Sequence, residues 1–318
     1  MFLADNAARC PYHFAMRVLI VGCGYVGLPL GAELVRQGHE VFGLRRSATA
    51  ENELRAAGIQ PLVADITKPD ELARLPRDFD WVVNCVSSTG GVAEDYRQVY
   101  LQGTRNLIER FSTAPPKKFV YTSSTSVYGQ TDGSQVKENG PAEPAAETAK
   151  VLLETEKLLL AVGADRKVPV VILRVAGIYG PDRGHWFKQF LKNEARIEGD
   201  GSRFLNMIHR DDLIGCIIAA LKSGRAGEIY NAVDDEPVSQ ANFFQWLAAT
   251  VGKYPPPSVP ENPVENRKRG VTNKRVLNRR LKMELGYQFK YPDFRKGYSA
   301  ELLRLERAGE LHVTPDER

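Results

Sequence analysis

Short apolar runs and stretches of helical periodicity alternate through the first half of the chain. Residues 18–21 are an apolar run of strand length, and residues 28–37 follow with helix-compatible spacing. The pairing recurs with EVFGL (40–44) before a helical stretch over 48–57, QPLVAD (60–65) before a short one over 69–74, and DWVVNCV (80–86) before a long one over 92–111. KFVYTSS (118–124), a helix over 145–162 and VPVVILR (168–174) complete the series. These runs are apolar at consecutive positions, so both faces of each strand need cover, as in a parallel sheet between helices. The alternation predicts a doubly wound α/β fold of the Rossmann type.

After Arg174 the rhythm breaks. GIYGPDRGHWF is turn-rich and GDGS (199–202) is a tight loop. IHRDDLIGCIIAALKSG (208–224) predicts a strand end and then a helix with Asp211 and Asp212 at its positive pole. EIYNAV (228–233) reads as another strand, Ser239 as the cap of a helix over 240–251, and 252–266, with five prolines, as an extended linker. The basic remainder is left as mixed structure.

Composition narrows this little. The 318 residues are 43% hydrophobic, enough for a two-lobed protein, and the net charge of +4 suits an anionic ligand but is too weak to argue for nucleic acid. No apolar run approaches the ~20 residues of a membrane span. Residues 1–15 lack the basic and apolar regions of a signal peptide and read as an extension ahead of Met16. Cys10, Cys23, Cys85 and Cys216 are widely spaced, which fits core residues in a reducing compartment and neither a disulfide nor a metal site. A cytoplasmic location is expected, with no metal, no nucleic acid and no membrane partner.

The candidate chemistry starts at RVLIVGCGYVG (17–27). An apolar strand, Gly22, Gly24 and Gly27, and then a helix form the dinucleotide-binding fingerprint in its proper context. Gly22 allows the turn, Gly24 lets the backbone approach a pyrophosphate, and Gly27 brings the helix close to the sheet; Tyr25 and Val26 stand between them, where helix N–H groups face the phosphates. The second strand ends in Arg45 and Arg46, not in the carboxylate that reads an NAD ribose. Guanidinium forks suit a 2′-phosphate, so the expected cofactor is NADP, with NAD as the alternative. Asp65, ending the third strand, and Ile66 beside it stand where the adenine would be contacted, or Asp65 simply caps the following turn.

Together with YTSSTSVYG (121–129), QGTRNLIE (102–109), ENGPAEP (138–144), ILRVAGIYGP (172–181) and IHRDDL (208–213), these motifs make the sequence resemble the extended and atypical short-chain dehydrogenases, the NAD-dependent epimerase/dehydratase family, from Met16 to about Leu302. The resemblance implies a dinucleotide-binding Rossmann domain over 16–176, its sheet completed by about 205–234, and a substrate-binding lobe from 177–204 and 235–318. It also implies a small-molecule substrate, and a homodimer through the helix over 92–111. With its G-x-G-x-x-G spacing, GLRRS, NKR (273–275) and YPDFRKG (291–297), the chain is most similar to an atypical, reductase-like subgroup.

In that family a Ser or Thr, a Tyr and a Lys carry the proton chemistry. Ser124 matches the first and would hydrogen-bond the substrate oxygen. Aligned on ENGPAEP and Glu156, the tyrosine's place falls on Thr148 and the lysine's on Leu152, and none of the twelve tyrosines has a lysine four residues on. Three explanations stay open. The acid comes from elsewhere, with Glu147, Lys150, Tyr179, His185 and His209 as candidates. Or the reaction needs no strong acid. Or the chain holds a cofactor without turnover, as a regulator or scaffold. A sugar epimerase/dehydratase-like enzyme is a further alternative, although the place of the nucleotide-sugar arginine after GDGS is Leu205. Arg174, Arg183 and Arg203 remain as anion binders, Arg174 being equally a salt-bridge residue. Trp186, Phe187 and Phe190 read as lobe core, and Arg267, Lys268, Arg269, Lys274, Arg275, Arg279 and Arg280 as a solvated or partner-facing charge run.

Overall fold

A computed structural model describes residues 15–88, 90–166, 168–260 and 272–311. Seven strands form one sheet: β1 (Arg17–Val21), β2 (Glu40–Arg45), β3 (Gln60–Val63), β4 (Trp81–Asn84), β5 (Lys118–Ser124), β6 (Val170–Val175) and β7 (Glu228–Ala232). Their order is β3-β2-β1-β4-β5-β6-β7 and every pairing is parallel. The chain therefore winds one way from β1 to β3 and the other way from β4. The reversal leaves a crevice beyond the carboxyl ends of β1 and β4, the usual ligand site of an open α/β sheet.

The apolar strands are covered on both faces. Val18 and Ile20 join one core cluster, while Leu19 and Val21 join another on the opposite face. All four are 0–1% exposed, and burial of side chains of this kind contributes about 1.5–3 kcal/mol each. A third core lies in the C-terminal part, where Phe243, Phe244, Phe294 and Tyr298 pack with Tyr179 and Phe187.

Several elements differ from the sequence reading. The third strand stops at Val63 because Asp65 begins a turn, its backbone N–H donating to Glu71 Oε2 at 2.8 Å. The helix expected over 92–111 contains a π-helical segment, Arg97–Gln102, between Ala93–Tyr96 and Gly103–Phe111. The proline-rich linker carries a short strand, Ser258–Val259, paired in parallel with Ile197–Glu198. The basic remainder holds two helices, Arg279–Leu285 and Phe294–Arg307. Asp212, fully buried, anchors the segment between them by accepting from Tyr287 Oη (2.8 Å), Lys290 N (2.7 Å) and Tyr291 N (2.9 Å).

Lys274 corrects the charge-run reading. It is 3% exposed, and its ammonium donates to Tyr128 O at 2.7 Å and Thr272 Oγ1 at 2.8 Å. Arg280 is paired with Glu228 and Glu284. Arg267, Lys268, Arg269, Cys10 and the extension through residue 14 lie outside the described residues. Cys23, Cys85 and Cys216 are free thiols.

Candidate active site

The glycine loop leaves β1 at the crevice. Gly22 takes φ +89°, and a Cβ there would lie 2.7 Å from Val86 Cα. Its N–H donates to Leu44 O at 3.1 Å, which ties the loop to β2. A Cβ at Gly27 would meet Gly22 O at 2.6 Å, so the helix Gly27–Arg36 lies tight against the loop. Gly24 is different, because a Cβ there would meet nothing within 4 Å. The space above it is open. Val26, at the helix N-terminus, supplies no side-chain cap, and the first turn holds no acidic residue. Leu28 N–H already donates to Gly24 O at 2.9 Å and Pro29 has no N–H, so the helix dipole is what favours an anion there.

Two cavities adjoin at this loop and share Gly22, Gly24, Val86 and Ser87. One, of about 230 Å³, is bordered by Leu44, Arg45, Arg46, Asp65 and Ile66. Arg45 reaches Glu53 at 3.3 Å. Arg46 is exposed, with no ion pair among the described residues. Asp65 caps its turn, accepting from Thr67 N at 2.9 Å and Thr67 Oγ1 at 2.8 Å. The other cavity, of about 150 Å³, is bordered by Tyr25, Val26, Ser124, Leu152 and Arg183.

Ser124 ends β5 at this second cavity. Its Oγ accepts from Ser126 N at 3.2 Å, which leaves its own O–H free to donate. Leu152 presents an apolar side chain to the same wall, while Thr148, 5% exposed, is not among the lining residues.

A family model for the NAD dependent epimerase/dehydratase family matches residues 18–232. The chain belongs to that family. It is 29% identical over 284 residues to Protein YeeZ of Escherichia coli (strain K12), covering 87% of this chain and 97% of that protein. It is 25% identical over 313 residues to a 3-diazoavenalumate denitrifying reductase of Streptomyces sp, covering 90% and 100%. A solved structure, a putative NAD-dependent epimerase/dehydratase from Methylobacillus flagellatus, is 33% identical with a TM-score of 0.73, covering 92% of this chain and 100% of its own.

Against the family's pattern, the five alternative acids all lie off the cavity wall. Glu147 and Lys150 pair with each other at 2.7 Å on an exposed helix start. The Tyr179 ring stacks on Tyr298 at 4.3 Å between centroids, and burial pushes its phenol well above the ordinary range. His185 is exposed and packs edge-on against Trp186. His209 is buried, accepts from Asp211 N at 3.2 Å through Nδ1, and places Nε2 3.5 Å from Glu301.

The wall instead holds two tyrosines, Tyr25 of the glycine loop and Tyr100, the second of which the sequence did not mark. Tyr100, from the π-helical segment, accepts from Ser88 N at 3.1 Å. Tyr25 has its phenol pushed up to about 12 by burial, against the opposing pull of Arg210 and Arg183. Cys85 also lines the cavity, but burial pushes its thiol up and keeps it neutral. No motif marks which tyrosine of a helix faces the sheet end; a period count along 93–111 is the only signal. Among the described residues, no group of three or more His, Cys, Asp or Glu could hold a metal, and no helix is long and apolar enough to cross a membrane.

Proposed function

We propose that this protein is an atypical short-chain reductase that binds NADP(H) and moves hydride to or from a small carbonyl or hydroxyl compound. The adjoining cavities carry this reading: they lead from Arg45 and Arg46, across the open face of Gly24, to Ser124. The start of the helix Gly27–Arg36 would hold the pyrophosphate, Arg45 and Arg46 the 2′-phosphate, and Asp65 and Ile66 the edge of the adenine. The nicotinamide, when bound, supplies or takes the hydride at C4. Ser124 directs its free O–H to the substrate oxygen and stabilises the charge that develops there. Leu152, Val175 and Ile178 keep water from that end of the cleft. The segment 177–204 and the helices Gln240–Val251 and Phe294–Arg307, which share one core, form the lobe that faces the substrate.

A second reading, a dinucleotide-binding regulator without turnover, is favoured by one observation: Leu152 occupies the wall with no charge, and Thr148 is not part of it. A nucleotide-sugar substrate finds less support, because Leu205 is buried and paired with Val238 where that class places arginine.

Stopped-flow absorbance of the NADPH complex mixed with a panel of carbonyl compounds separates the readings. Oxidation by any member supports the reductase, and tight NADPH binding with no oxidation across the panel leaves the regulator. The double change Arg45→Ala, Arg46→Ala should weaken NADPH far more than NADH; equal losses would remove the NADP preference.

A further inference from the structure

The fold uses up two of the three arginines that the sequence offers for an anion. Arg174 is bound by Glu156 at 2.7 Å, and Arg203 lies 3.4 Å from Glu198. Arg183 stays unpaired. It is exposed, borders the cavity that holds Ser124, and makes no ion pair among the described residues. The adjacent carboxylate, Asp182, is drawn away by Arg304 at 3.0 Å. The Arg183 guanidinium instead lies over the ring of Tyr25, 5.0 Å from its centroid. Arg210 lies over the same ring at 5.3 Å, but Asp211 neutralises it at 3.1 Å.

The loop that presents Arg183 is fixed. Gly180 N donates to Arg183 O at 3.0 Å and Arg183 N returns to Gly180 O at 2.9 Å. Asp182 between them holds φ +59°, a left-handed conformation that aspartate tolerates better than most residues. The turn fixes the point at which the Arg183 side chain leaves the backbone. Val175, Ile178 and Leu213 add apolar side chains to the same cavity, among the polar Ser123, Ser124 and Tyr100, and a charge-assisted bond is stronger where water is partly excluded.

We propose that Arg183 recognises an oxyanion, carboxylate or phosphate, carried by the substrate, so that the substrate is an anionic carbonyl or hydroxyl compound. This rests on the reductase reading for its kinetics. A cofactor pyrophosphate offers the same chemistry, and the test separates the two sources.

The protein saturated with NADPH is titrated with malonate and with inorganic phosphate at constant ionic strength, followed by NADPH fluorescence and thermal shift. At least one anion should bind, with affinity falling about tenfold or more in Arg183→Ala and partly kept in Arg183→Lys. In a second arm, 4-carboxybenzaldehyde and benzaldehyde are compared as substrates. The charged aldehyde should be preferred about tenfold or more through KM, and Arg183→Ala should bring the ratio near one. NADPH affinity should be unchanged in Arg183→Ala; a matching loss there would assign the guanidinium to the cofactor and overturn the proposal. Failure of the wild-type NADPH complex to bind either anion, or equal binding by Arg183→Ala, would also overturn it. Anion binding as expected with no oxidation of NADPH by either aldehyde would support the anion site and leave the reductase reading to be decided by the carbonyl panel.

Discussion

Arg174 and Glu156 meet as a forked ion pair in the interior, Nη2 to Oε2 at 2.7 Å and Nε to Oε2 at 3.1 Å, with side chains 4% and 1% exposed. The pair joins β6 to the helix Glu147–Arg166, and Glu156 also accepts from Ser123 Oγ, beside Ser124. Arg174 in turn lies 4.8 Å over the ring of Tyr128, whose hydroxyl donates to Asn231 Oδ1 at 2.8 Å. The end of β5 is thereby held by buried charge in addition to sheet hydrogen bonds.

Breaking that pair should therefore cost much more than a surface change. Glu156→Gln leaves the guanidinium buried without its counter-charge and should remove about 3–5 kcal/mol of unfolding free energy, read from urea midpoints. The double change Glu156→Leu, Arg174→Met should cost clearly less, because no lone charge remains. Equal losses would mean that packing, and not the charge, is what Glu156 supplies.

The glycine loop separates cofactor binding from folding. Gly22→Ala forces a Cβ into φ +89° and to within 2.7 Å of Val86 Cα, so it should lower stability by about 1–2 kcal/mol or more. Gly24→Ala meets nothing within 4 Å, so its melting temperature should stay near wild type while NADPH binding weakens about tenfold or more. Calorimetry and fluorescence titration on the two variants check this, and unchanged binding in Gly24→Ala would remove the pyrophosphate from this loop.

How much of this was legible depends on whether the determinant is local. The strands through β6 could be read because each is apolar at consecutive positions, as Val18, Leu19, Ile20 and Val21 are. The parallel, doubly wound class followed from the alternation, whereas the strand order is set by which strands pair in three dimensions. The C-terminal helices could not be read, because what fixes them is distant: Asp212 holds Tyr287, Lys290 and Tyr291. Lys274 looked like one charge in a basic run, and only the three-dimensional fold encloses it. At the cleft, Gly24, Arg46 and Ser124 sit in local motifs, whereas Arg183 could not be ranked above Arg174 and Arg203 until Glu156, Glu198 and Arg304 were in place around them.

Ser124→Ala should leave NADPH affinity unchanged and lower turnover about 10²–10³-fold, the size of effect found when an oxyanion donor is lost. Ser124 also caps the short turn Thr125–Val127, so a stability loss of about 1 kcal/mol accompanies the change. Ser124→Thr keeps both the donor and the cap and should recover most of the rate. Single-turnover kinetics with saturating cofactor test this, and a full-rate Ser124→Ala would take the substrate oxygen away from this residue.

The buried Lys274 gives the stability an alkaline signature. Desolvation lowers its ammonium from the ordinary 10.5 to about 8. Below about pH 8 the group is protonated both folded and unfolded, and the cost of burying the charge is fully present. Between about 8 and 10.5 the unfolded chain binds more protons than the folded one, so this group's contribution to stability rises with pH and levels off above 10.5. Other groups titrate in the same range, so the comparison is with Lys274→Met, which has no such slope at this site. The wild type should gain stability relative to Lys274→Met between pH 7 and pH 10, measured by urea denaturation at each pH. A constant difference between the two proteins would show that Lys274 keeps its proton when buried, held by Tyr128 O and Thr272 Oγ1.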